Sequence, residues 1–280
     1  MQRQIRIVLL TGDGLRHKYV ATRLAQSTNL VGIVSEAKSE IIAQSESSTP
    51  DDQEIIRRHF AERDETERRL LGEGLDFPDT EVQVISNGTI NSPEVLEWLQ
   101  LQSPDLVMLY GSGMIKSPLL DLYSERMVNL HLGLSPYYRG SGTNFWPLVY
   151  GEPECVGATI HLAVERVDAG AILAQIRPVA ERRDRAHDLG TKTIMAALDS
   201  LPEILNLFSE GRLTTHTQDL SQGRTFRQRD FNANAVSTMW RNLADGMVPK
   251  YLADEQRRRE NYPIVEWSTQ LAFTREKVPV

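Results

Sequence analysis

An α/β fold is what this sequence predicts: a twisted, mostly parallel sheet with flanking helices, plus a small C-terminal α+β appendage. Three observations predict it. Short, nearly all-apolar runs recur across the first two-thirds of the 280 residues. Each is bounded by Gly, Asp, Ser or Asn. Helical segments alternate with them. Such runs suit parallel strands buried on both faces, and strand–helix alternation gives a parallel sheet.

The elements follow in order. Ile5–Leu10 reads as the first strand and Arg16–Gln26 as the first helix. Leu30–Val34 is the second strand. Thr49-Pro50-Asp51 then opens a helix over Pro50–Gly74, and Ser92-Pro93-Glu94 opens another over Pro93–Gln100. Each opening places a capping hydroxyl, a proline in the first turn, and an acid against the positive helix end. Val82–Ile85, Leu106–Tyr110 and Met127–His131 are further strands. Ala171–Val179 reads as a strand and Ala186–Phe208 as a long amphipathic helix with Leu189, Ile194, Leu198, Leu201 and Leu205 on its apolar side. The pattern is Rossmann-like over 1–210, with an insert helix at about 50–74 and a small module over 211–280.

The insert helix is sparse in apolar residues and densely charged in its middle. A solvated helix along the domain edge is the plain expectation, with His59 on its wet face. A lid or specificity insert near the substrate is the sharper one.

Composition bounds the function. Hydrophobic residues at 40% and charged residues at 25% are ordinary globular values. The net charge is −7, which disfavours sequence-independent nucleic-acid binding by the whole surface. From Gly211 onward, eleven basic residues face eight acidic ones, so the tail carries +3 and the first 210 residues −10. Arg257–Arg259 is flanked by Glu255 and Glu260 and reads as a solvated helix end. Cys155 is the only cysteine; it allows no intrachain disulfide and no cysteine-built zinc site. It is not read as a catalytic thiol. No run approaches the ~20 apolar residues of a membrane span. A cytoplasmic protein is expected, with no membrane or nucleic-acid partner; a homodimer is left open.

Two regions offer chemistry. Thr11-Gly12-Asp13-Gly14-Leu15-Arg16-His17 follows the first strand and opens a helix. Gly12 and Gly14 allow close backbone approach, and a helix N-terminus favours an anion. His17 stands where a dinucleotide fingerprint needs its third glycine, which disfavours NAD. The second region is MVNLHLGLSPYYRGSGTNFW. Asn129 and His131 share one side of a strand end, at the edge where open α/β sheets bind ligands. An amide donor beside an imidazole can make an oxyanion site. Asp168, in the tight turn Asp168-Ala169-Gly170, can present a carboxylate that orients that imidazole and raises its pKa. His161, inside Val156–Leu162, reads as a packed strand histidine.

These residues resemble the formyltetrahydrofolate-dependent formyltransferases, closest to the sugar N-formyltransferases. The shared pattern is Asn129-Leu130-His131, then Leu134-Ser135-Pro136 and Arg139-Gly140. Gly157-Ala158-Thr159-Ile160-His161 and Asp168-Ala169-Gly170 complete it. The resemblance covers roughly Ile5 to Pro178. One departure is Gly133, where the family often has a serine.

The resemblance implies formyl transfer from 10-formyltetrahydrofolate to a small-molecule amine, with no metal. Asn129, His131 and Asp168 are its expected catalytic residues. Tyr110, Gly111, Ser112, Gly113, Met114 and Ile115 are expected against the folate, with Glu165, Arg166 and Val167. Gly12, Asp13, Gly14, Arg16 and His17 are expected at the acceptor, with Ser135, Tyr138, Arg139 and Gly140.

Among acceptors an amino-sugar nucleotide is preferred, because Arg139-Gly140 and Asn144-Phe145-Trp146 resemble that branch. Methionyl-tRNA would call for a large basic C-terminal domain, and a glycinamide ribonucleotide enzyme would end soon after the long helix. A formyltetrahydrofolate hydrolase would carry an N-terminal regulatory domain. Small amino-acid-derived amines, such as hydroxyornithine-type siderophore precursors, stay open because the insert matches no sugar enzyme. A non-catalytic folate-binding protein would show a damaged triad, and here the triad is intact.

Overall fold

The chain is described by a computed structural model over residues 5–37 and 49–268. Residues 1–4, 38–48 and 269–280, including the tail residues Arg275 and Lys277, lie outside the described residues.

A seven-stranded mixed sheet carries the molecule. Its strands are β1 (Arg6–Thr11), β2 (Asn29–Glu36), β3 (Val82–Ile85), β4 (Leu106–Tyr110) and β5 (Met127–His131), then β7 (Ala158–Leu162) and β8 (Ile172–Ile176). Their spatial order is β3-β2-β1-β4-β5-β7-β8. The first five are parallel, whereas β5–β7 and β7–β8 are antiparallel. β1 and β4 read IVLLT and LVMLY at buried positions, as strands covered on both faces should. The chain runs outward through β1, β2 and β3, then returns to place β4 on the other side of β1. That reversal opens a crevice at the carboxyl ends of β1 and β4, where ligands bind in such sheets.

Helices α1 (Leu15–Ser27) and α6 (Ala186–Ser209) cover one face. Val20, Ala21 and Leu24 meet Ile194, Leu198 and Leu201 in one cluster with the sheet. On the other face, α3 (Pro93–Gln102) and the short α4 (Leu119–Leu122) bury Val95, Leu99, Leu119 and Leu120. The predicted caps form. Ser92 Oγ accepts from the Val95 N–H, and Thr49 makes a capping box with Asp52.

Helix α2 (Pro50–Leu71) departs from the solvated expectation. It packs on α6 and α1, with Ile56, His59, Thr66, Glu67 and Leu71 buried. Its polar pattern misleads because its buried face is itself partly polar: it lines a cavity rather than a dry core.

After α6 the chain adds β9 (Arg224–Phe226), α7 (Ala233–Ala244), α8 (Met247–Ala253) and α9 (Glu255–Glu260). β9 pairs in parallel with β6 (Tyr138–Gly140). α7 lies against both α2 and α5 (Trp146–Val149). Val265 closes the edge of β8 by exchanging hydrogen bonds with Gln175. Arg258 of the basic run grips the buried Glu154 at 2.7 Å, and Arg259 pairs with Glu255. Among the described residues, no helix is long and apolar enough to cross a membrane.

Candidate active site

A cavity of about 620 Å³ opens at the carboxyl ends of β4 and β5. Asn129 and His131 project into it from β5, as same-side residues of one strand must. Antiparallel pairing sets Asn129 directly opposite His161 of β7. Asp168 comes from the β7–β8 turn, with φ at +48°. A left-handed non-glycine residue of this kind costs free energy and clusters at functional sites. A Cβ at Gly170 would lie 1.7 Å from the Leu162 carbonyl oxygen, so only glycine lets the turn close this tightly.

The three side chains converge. His131 Nδ1 lies 3.3 Å from Asp168 Oδ1. Asn129 Nδ2 donates to Asp168 Oδ1 at 3.4 Å and reaches His161 Nε2 at 3.1 Å. His161 Nδ1 faces the Leu162 carbonyl at 2.8 Å and donates to it. Its Nε2 therefore keeps the lone pair and accepts from Asn129. This histidine is packed in a strand as expected, yet it also fixes the amide. The Gly-x-Thr-x-His spacing was the signal for it.

Asp168 is held from two further sides. The Gly140 N–H donates to Oδ2 at 2.8 Å. Gln218 Nε2, from the C-terminal segment, bonds the Asp168 and Gly170 carbonyls at 2.9 and 2.6 Å. Nothing in the sequence marked Gln218.

Burial works to raise the Asp168 carboxyl, but the two imidazoles and the Gly140 N–H outweigh it and hold it at about 2. For His131 the balance goes the other way from the sequence expectation. Burial lowers its pKa below 6.5 by more than Asp168 raises it. The resting pair is thus a neutral imidazole beside a carboxylate. The carboxylate assigns the ring proton to Nδ1. Nε2 sits 3.3 Å from the Tyr138 carbonyl and 3.2 Å from Thr143 Oγ1, two oxygens ready to accept once that nitrogen is protonated.

Gly133 now has a reason. A Cβ there would stand 2.6 Å from both His131 Nε2 and Thr143 Cβ. The Thr143 hydroxyl fills the space a side chain at 133 would need.

The other expected residues divide. Tyr110, Gly111, Ser112, Gly113, Met114 and Ile115 all line the cavity, as do Glu165 and Val167. The 111–115 loop is fixed in advance. Glu36 accepts from the Gly113 and Gly88 N–H groups at 2.8 and 2.9 Å. Asn91 bonds Met114 O and Lys116 N at 2.9 and 2.7 Å. Arg166 is exposed outside the wall.

Arg16, His17 and Gly140 line the cavity, whereas Gly12, Asp13 and Gly14 do not. Those three form the β1–α1 turn, and α1 reaches the cavity only from Arg16 onward. Ser135, Tyr138 and Arg139 also lie outside the wall. Ser135 is fully buried behind it. Tyr138 stacks on Phe226, and its hydroxyl pairs with Glu152 and Arg224. Arg139 is buried toward Leu220. The β6–β9 pairing, which the sequence did not announce, holds Tyr138 and Arg139 in these positions.

His59, Phe60, Arg63 and Glu67 of α2 form the opposite wall with His187 and Phe231. The α2 spacings of three and four, Phe60 to Arg63, His59 to Arg63 and Arg63 to Glu67, are the signature of one helix face. Glu67 pairs with Arg16 across the gap to α1.

A cavity at the carboxyl ends of β4 and β5, floored by an amide, an imidazole and a carboxylate, has the make-up of an enzyme's active site. The chain belongs to the formyl transferase family, whose model matches residues 5–205.

Solved structures share the fold. An N-formyltransferase from Helicobacter canadensis, crystallised with folinic acid and dTDP-3-aminofucose, is 16% identical with a TM-score of 0.55, covering 85% of this chain and 80% of that one. Phosphoribosylglycinamide formyltransferase from Anaplasma phagocytophilum is 17% identical with a TM-score of 0.54, covering 81% and 99%. Glycinamide ribonucleotide transformylase 1 from Symbiobacterium toebii is 22% identical with a TM-score of 0.52, covering 78% and 96%.

Proposed function

We propose that this formyl transferase moves the formyl group of 10-formyltetrahydrofolate to a primary amine on an amino-sugar nucleotide. The observation that carries the transfer chemistry is the convergence of Asn129, His131 and Asp168 on one cavity floor. The donor fits the side built by the 111–115 loop. That loop offers fixed backbone polar groups, and exposed Met114, Val164 and Val167 make apolar lips beside it. A flat ring with polar edges needs both.

The acceptor amine adds to the formyl carbon as a free base, and negative charge collects on the formyl oxygen. One Asn129 N–H is engaged by His161; the other, only loosely held by Asp168, is the donor for that oxygen. Oxyanion donors of this kind are worth ~10²–10³ in rate. Neutral His131 takes the amine proton at Nε2. The imidazolium formed is held by Asp168 at one nitrogen and by Tyr138 O and Thr143 Oγ1 at the other. The carbon–nitrogen bond to the folate then breaks, and the proton passes to the nitrogen that leaves.

Two things support the amino-sugar acceptor. Asn144-Phe145-Trp146 places Phe145 and Trp146 in the wall, and one structural neighbour was crystallised with a dTDP-amino sugar.

A panel of amino-sugar nucleotides and amino-acid amines, incubated with 10-formyltetrahydrofolate and read by tetrahydrofolate release, tests the proposal. Turnover of an amino-sugar nucleotide is expected. Turnover of amino-acid amines alone would replace the acceptor.

A further inference from the structure

The acceptor side of the cavity is built by elements the triad does not require: α2, the first turns of α6, and Phe231. Two ring nitrogens there, His59 Nδ1 and His187 Nε2, have no hydrogen-bond partner among the described residues. Their ring centroids are 4.5 Å apart, and both residues line the cavity. His59 is only 5% exposed. Buried polar atoms almost always have a partner, and an exception calls for an explanation. Two such exceptions side by side in a ligand cavity are explained by a ligand.

The surroundings define its chemistry. Phe60, Phe145 and Phe231 stand 5.3, 5.4 and 5.5 Å from the His59 ring. Burial, aided by Arg63, lowers the pKa of His59 to about 4. Burial also lowers that of His187 to about 3, with His59 adding to it. Both rings are neutral at pH 7. Two cavity cations are matched, Arg16 with Glu67 and Arg63 with Asp64 at 2.8 Å; Arg227 is exposed in the same lining. An uncharged ring bearing hydroxyl groups wants apolar edges and neutral nitrogens, and a hydroxyl satisfies either tautomer because it both donates and accepts.

We infer that His59 and His187, framed by Phe60 and Phe231, form a recognition subsite for an uncharged, hydroxyl-bearing ring of the acceptor. This makes α2 the element that determines acceptor specificity. The inference rests on the formyl-transfer reading of the same cavity, and it favours the sugar over the amino-acid amine.

The test compares wild type with His59→Phe and His187→Phe, which keep the ring and remove the nitrogens. His59→Asn and His187→Gln put a polar atom back near Nδ1 and Nε2. Steady-state kinetics are measured on the amino-sugar nucleotides that wild type formylates. Each Phe variant is expected to raise the acceptor KM about fivefold or more, the loss of one hydrogen bond. The donor KM stays within about twofold, and the Asn and Gln variants recover most of the loss.

An unchanged acceptor KM in both Phe variants overturns the subsite and leaves the formyl-transfer reading standing. Wild-type turnover confined to amino-acid amines overturns the subsite's ligand class. No transfer to any amine by wild type overturns the formyl-transfer reading, and the inference with it. Folinic acid serves as the folding check, through the thermal upshift it gives each variant. Where a Phe variant lacks that upshift, Phe231→Leu takes its place, and an unchanged acceptor KM there overturns the subsite equally.

Discussion

His131 meets two opposing forces at one ring. Burial removes water from its cation, and Asp168 attracts that cation. Burial wins, so the acid limb of kcat/KM that reports His131 is expected below pH 6.5. Asp168→Asn removes the attraction that raises this pKa. The limb should therefore move lower still, with kcat reduced about 10²-fold or more. A pH–rate profile checks both; a limb above 6.5, or one that moves upward, contradicts the balance. Gly133→Ala tests the same ring by packing. The added Cβ collides with His131 Nε2 and Thr143, and overpacking of this kind costs about 1–3 kcal/mol. Chemical denaturation would show that loss, and kinetics a fall in kcat.

At the scale of elements, α2 separates what could be read from what could not. Its start was legible, because Thr49, Pro50 and Asp51 carry local capping chemistry. Its burial was not, because a helix facing a polar cavity shows no clean apolar stripe. β5 was legible to the residue, and with it Asn129 and His131. Arg139 and Tyr138 were misplaced because β6 finds its partner β9 some eighty residues later, and no local pattern encodes that pairing.

The buried histidines also link α2 and α6 to pH. The pKa values of His59 and His187 are depressed to about 4 and about 3. Burial disfavours their protonation in the fold, so stability is full above pH 6.5 and falls as pH drops through about 4 for His59 and about 3 for His187. His59→Phe should flatten the decline in Tm across that window. An unchanged slope would show that His59 does not titrate on unfolding.

Across the whole molecule, the −10 and +3 portions of the sequence are joined rather than set apart. Arg224 pairs with Glu152 and Arg258 with Glu154, so tail cations are spent on acids of the first 210 residues. Gln218 holds the Asp168 turn, and Phe231 completes the α2 wall of the cavity. Composition exposed the charge split but not its direction, since pairing inward and gripping an outside ligand look alike in a sequence. A chain ended after 210 is expected to lose turnover by about 10²-fold or more, because it lacks the group that orients Asp168. Gln218→Ala alone should lower kcat with little change in either KM. Retention of full activity by the shortened chain would make the C-terminal segment dispensable.

The most direct test of formyl transfer through this site is single-turnover release of tetrahydrofolate from 10-formyltetrahydrofolate with a saturating amino-sugar nucleotide, comparing wild type with His131→Ala. One formylated amine per tetrahydrofolate, and a rate at least ~10²-fold slower in the variant, is the result predicted. Equal rates in the two proteins, with the variant folded, would contradict it.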